Sequence, residues 1–136
     1  MATINIVVTV GNPGSGNRYY LDGVLQATIS ATPGNTYKFD QADGTNSGHP
    51  LRFYNNVGKT TAYTTGVTTS GTPGNSGAHT SIAVDSTTPN VLYYQCSSHA
   101  NMGNFINHNS TKLIEELKKR LNTNFSNTIF LNIGDK

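Results

Sequence analysis

The chain has 136 residues, which fits one domain of ordinary size. Hydrophobic residues make up 35% and charged ones only 12%, while Thr, Asn and Ser supply 19, 17 and 11 positions, so the polar surface is neutral rather than ionic. A single Cys excludes a disulfide framework and a Cys-only zinc site, and a net charge of +2 offers no basic body for a phosphate backbone, so nucleic acid is not an expected partner.

The predicted elements are β through residue 107. Ile4 to Val10 is β-branched and partly alternating. The cluster from Gly11 to Asn17 is a turn. Tyr19 to Val24 reads as a strand that breaks at Asp22-Gly23, and Ala27 to Ala31 follows. Pro33-Gly34-Asn35 turns the chain into the alternating stretch Thr36 to Asp40. Pro50 to Tyr54 is the next strand, and short strand candidates lie at 62–67. Thr80 to Val84 and Val91 to Cys96 are strands, and Phe105 to Asn107 closes the set. Short strands at close spacing, divided by Gly, Pro and Asn turns, predict an all-β sandwich or barrel.

The character changes after residue 107. Leu113, Ile114, Leu117 and Leu121 form an amphipathic helical stripe over Lys112 to Leu121, with Ser110 as N-cap. Ser126 to Ile133 reads as one more strand. Residues 1–107 balance four basic against four acidic groups, so the positive excess lies in 108–136. This helix–strand appendage is too short to fold alone. It is expected to pack on the domain at 1–107 or on a neighbouring subunit.

No apolar run approaches the roughly 20 residues of a membrane span. The start of the chain lacks the basic and apolar stretches of a signal peptide. The expected location is cytoplasmic or virion-associated, or periplasmic if a leader was removed.

The chemistry is concentrated in Cys96-Ser97-Ser98-His99-Ala100-Asn101-Met102, at the end of a strand. A second His, His49, opens another strand 47 positions upstream. Two His, one Cys and a weak axial Met are the ligand types of a blue-copper centre. Thiolate and thioether donors favour Cu(I), while imidazole suits both oxidation states. Each residue also has a plainer role: Cys96 as a small buried hydrophobe and Met102 as a filler of core gaps. His79 and His108 fall outside the motif and are expected to be surface or packing residues. Tyr19, Tyr20, Tyr93 and Tyr94 are expected to pack or edge the sheet.

Gly48-His49-Pro50 and the Cys96, His99, Met102 loop resemble the cupredoxins, a family that includes plastocyanin-like proteins. The resemblance spans residues 1–107. It implies a Greek-key β-sandwich, with His49, Cys96 and His99 as equatorial ligands of one Cu(I)/Cu(II) ion and Met102 as the axial one. The implied activity is one-electron transfer to a redox partner, not enzymatic catalysis. The two residues between His99 and Met102 are fewer than in the usual plastocyanin-type loop. A His-x-x-Met ending resembles the binuclear copper sites of respiratory oxidases, but those need a second Cys.

Gly48 to Phe53, Thr64 to Val67 and Tyr93 to His99 also resemble a plastocyanin-like module of marine microbes and of structural proteins of their phages. That resemblance implies an alternative role. The domain would be a structural module of a virion or cell surface, with copper stabilising or incidental. Residues 108–136 would then contact a second copy or virion neighbours.

Other constellations are weaker. The Gly-rich stretch at 11–16 precedes no helix, so it makes no phosphate cradle. No Gly-x-Ser-x-Gly elbow is present.

Overall fold

The computed structural model describes residues 2–108. Ten strands follow in order: β1 (Thr3–Gly11), β2 (Arg18–Leu21), β3 (Val24–Leu25), β4 (Ile29–Ser30), β5 (Thr36–Asp40), β6 (Leu51–Tyr54), β7 (Val67–Ser70), β8 (His79–Ala83), β9 (Val91–Cys96) and β10 (Asn104–Asn107). The only helical element among the described residues is a 3₁₀ turn, Gly44–Asn46. The strands form two mixed sheets, ordered β3-β2-β1-β5-β8-β7 and β4-β10-β9-β6. This is an all-β architecture consistent with a sandwich. The helix expected over 112–121 and the strand expected over 126–133 lie outside the described residues.

Strand β1 is central to the larger sheet. Thr3 to Val7 pair in parallel with β5, and Val8 to Gly11 pair antiparallel with β2. Leu21 and Val24 face each other across a two-residue turn in which Asp22 and Gly23 both have positive φ, 48° and 82°. Such a turn matches the twist of the flanking strands. Asp22 also closes the gap beside β1. Its carboxylate accepts from the Val7 N–H at 2.8 Å, and its own N–H donates to the Val7 carbonyl at 2.8 Å.

Alternation places one face of each sheet in a shared core. Ile6, Val8, Tyr19, Leu21, Tyr37, Phe39 and Ile82 come from the larger sheet, and Leu51, Phe53, Leu92, Tyr94, Cys96 and Ile106 from the smaller. The period of two is the reason that strand-forming, half-apolar segments suffice to build it. Phe39 and Phe53 meet edge to face across the two sheets at 5.4 Å.

Two expectations shift. Ala27 to Ala31 contributes only the two-residue β4, which pairs in parallel with β10. The strand expected at 62–67 falls instead at Val67–Ser70, and only Ala62 forms a bridge, to Tyr54. The Thr and Gly run there has no apolar alternation to fix its register.

Phe53→Ala removes a fully buried ring from the contact between sheets, so it should cost about 3–5 kcal/mol in denaturant unfolding. Val7→Ala, on the outward face, should stay within about 0.5 kcal/mol of wild type.

Candidate metal centre

The pairing of β6 with β9 brings the distant His to the Cys. Leu51 faces Cys96 in an antiparallel ladder. The Ser97 N–H extends the ladder by donating to the Pro50 carbonyl at 3.0 Å. His49, two residues before β6, therefore sits beside the end of β9. The Cys96 sulfur lies 3.7 Å from His49 Nδ1 and 3.6 Å from His99 Nδ1. The three donor atoms all fall within 4.8 Å of one another. Cys96 is fully buried, His49 is 9% exposed, and His99 is exposed.

A buried polar scaffold fixes His49. The backbone N–H of His49 donates to the Asn46 carbonyl at 2.8 Å. Its carbonyl accepts from Gln41 Nε2 and from the Tyr19 hydroxyl, both at 2.7 Å. Gln41 is itself nearly inaccessible, and its side chain is fully engaged. Nε2 also donates to Asn46 Oδ1 at 3.0 Å, and Oε1 accepts from the Leu51 N–H at 2.9 Å. Asn46 donates in turn to the Val8 carbonyl at 2.8 Å, which ties the His loop to the larger sheet. Burial, and then the nearby Cys96, push the Tyr19 phenol well above its ordinary pKa, so it stays a donor.

The loop after Cys96 is held at several points. The Ser98 N–H points at the Cys96 sulfur at 3.4 Å. Asn101 takes a left-handed conformation, φ 65°, which Asn tolerates better than most residues. It turns the chain from exposed His99 back to Met102, which is fully buried in the same apolar cluster as Cys96. The Met102 carbonyl accepts from the Tyr19 N–H at 2.8 Å. Gln26 Nε2 donates to the carbonyls of Asn101 and Gly103. Gly103 lies so close to β9 that a Cβ there would fall 1.8 Å from the Tyr94 carbonyl oxygen.

These three residues form a group that could hold one metal ion. Metal–donor bonds of about 2.0–2.3 Å place the donors of a shared ion about 3.5–4 Å apart, and the sulfur–nitrogen separations fall in that range. A thiol carries one proton and can donate to one imidazole at a time, whereas a cation at the shared point would engage all three. Burial, and then neighbouring His99, push the His49 pKa below its ordinary value. The neutral imidazole that results is the form that binds metals.

The structure thus brings together His49, Cys96 and His99, and it buries Met102 in the apolar core that also contains Cys96. His79 begins β8, with Nδ1 at 3.0 Å from the Gly77 carbonyl. Buried His108 contacts the Thr88 carbonyl, away from the cluster. Sequence reasoning missed Gln41, Asn46 and Gln26, and it gave Tyr19 only a packing role. No local pattern marks them, because their partners lie up to 77 positions away. No protein-family model matches the chain, and no curated protein matches it. No helix among the described residues is long and apolar enough to cross a membrane.

Gln41→Leu strands the Leu51 N–H and Asn46 Oδ1 in the core. It should cost about 1–3 kcal/mol for each group left unpaired, read by denaturant unfolding. The metal-free protein should also lose stability as pH falls below about 6.5, the ordinary His value. Above that value His49 is neutral in both states. Below it the unfolded chain takes a proton that the folded site refuses, until the lower folded pKa is reached. The decline should be shallower in His49→Gln.

Proposed function

We propose that this chain is a mononuclear copper-binding protein of the cupredoxin type. His49, Cys96 and His99 would hold the ion, Met102 would be a weaker fourth ligand, and the role is one-electron transfer. The observation that carries the reading is the cluster itself: one thiol and two imidazoles within 4.8 Å, held at the joined ends of two sheet elements. One thiolate with two imidazoles suits copper better than hard cations, which prefer oxygen donors, and Met102, buried in the core that contains Cys96, supplies the thioether of the proposed set. The two mixed sheets around one core support the Greek-key sandwich implied by the sequence resemblance.

Bound there, copper would supply reversible one-electron exchange between Cu(I) and Cu(II). The residues of the chain hold the donors. Gln41, Asn46 and Tyr19 fix the His49 backbone, and Gln26 fixes the returning loop. The core excludes water from Cys96, while exposed His99 is the donor nearest to solvent. A partner protein docking there comes close to the centre without entering the core.

Cu(II) added to the purified protein under non-reducing conditions should produce an intense visible thiolate-to-copper band at a one-to-one ratio. The band should vanish in Cys96→Ala and weaken strongly in His49→Ala. A featureless visible spectrum with the wild-type chain would sink the blue-copper reading.

A further inference from the structure

Opposite the ligand loop stands a residue that no metal motif contains. Lys59 lies between β6 and β7, and its side chain is half-buried. Its Nζ is 2.8 Å from the Cys96 carbonyl oxygen and 3.0 Å from that of His99. These belong to two of the three residues of the metal-capable cluster. The ammonium bridges the first and last residues of the turn 96–99, from positions 37 and 40 residues away in sequence.

The backbone around Lys59 is built to aim it. Lys59 has φ +60°, in the left-handed region that side chains other than Gly and Asn rarely adopt. A network within the loop holds that conformation. Asn56 Oδ1 accepts from the N–H groups of Thr60 and Thr61 at 3.1 and 3.3 Å, and Asn56 Nδ2 donates to Thr60 Oγ1 at 2.8 Å. The Lys59 N–H donates to the Asn56 carbonyl at 3.2 Å, and the Asn55 N–H to the Thr61 carbonyl at 2.9 Å. An exposed Lys ordinarily keeps its rotamer freedom in water. Fixing this one costs conformational entropy, and its two acceptors are neutral carbonyls. The exchange makes physical sense if it orders the turn that carries His99. Nothing else among the hydrogen bonds of the described residues ties the His99 backbone to the rest of the fold.

From this geometry, and resting on the metal reading of the cluster, we propose that Lys59 is the positioning residue of the metal centre. Its ammonium clasps the carbonyls of Cys96 and His99 and holds the exposed imidazole beside the buried sulfur before any metal arrives. Its role is preorganisation, since a donor already in place does not have to be ordered when the ion binds.

The test uses the full chain with Lys59→Met and Lys59→Arg. Methionine keeps the length without the donors, and arginine restores two-carbonyl donation. In the metal-free proteins, amide hydrogen exchange by NMR should be at least ten-fold faster at residues 97–101 in Lys59→Met. Amides of β1, β5 and β9 should be unchanged, and Lys59→Arg should return toward wild type. Co(II), a redox-quiet probe of the same donors, should bind at least ten-fold more weakly to Lys59→Met, with the thiolate-to-cobalt band shifted. Lys59→Arg should recover both. Equal exchange and equal or tighter Co(II) binding in Lys59→Met would overturn the clasp while leaving the metal reading standing. Loss of protection throughout the strands would also overturn it, by showing a general structural role. A wild-type chain that binds neither Co(II) nor Cu(II) would remove the metal reading and this proposal with it.

Discussion

The antiparallel register that sets Leu51 opposite Cys96 is the constraint on which the cluster depends. Side chains in a strand have a period of two. A slip of one residue between β6 and β9 would move Leu51 and Phe53 out of the core and carry His49 away from the sulfur. Packing therefore protects the site. The apolar side chains that make the register costly to change are the same ones that bury Cys96. The Ser97–Pro50 bond carries the ladder one step past the strands, so the constraint reaches the His itself.

A second layer of control is polar and buried. Gln41 uses both ends of its amide on the His49 loop, and Asn46 passes the connection to β1. Buried polar networks are costly when incomplete and specifying when complete. This one lets a non-repetitive loop, with only a short 3₁₀ turn, keep a fixed shape without apolar side chains of its own. It also joins the two sheets. Val8 belongs to the larger sheet and Leu51 to the smaller, and both bond to the same Gln41–Asn46 pair.

What the sequence disclosed follows the range of the interactions involved. Strands β1, β5 and β9 are legible because alternation and β-branched residues are local signals. The Asp22-Gly23 turn is legible because its backbone demands positive φ. His49, Cys96, His99 and Met102 stand out because few residue types bind soft metals. The stretch at 55–66 was not legible, since Thr, Gly and Asn there carry no apolar period. Its order comes from Asn56 bonds and from Lys59 reaching across to another loop. Gly103 shows the same limit. It looks like an ordinary turn glycine, yet its reason is the Tyr94 carbonyl, which would meet a Cβ at 1.8 Å.

The two imidazoles are held in opposite ways, and that asymmetry bears on how an ion could be gripped and reached. His49 is anchored by groups that are themselves buried, so its position is set with the core and should change only when the fold opens. His99 is exposed, and its turn is fastened to the rest by surface bonds, which open more readily than core contacts. An ion held between them would have one fixed side and one side able to yield. Entry and release would proceed on the His99 side, without disturbing the sheet. The fixed side would keep the thiol and one imidazole in register through each exchange. The buried half of the donor set, His49 and Cys96, is assembled in advance against a rigid ladder and would resist rearrangement if the charge of a bound ion changed.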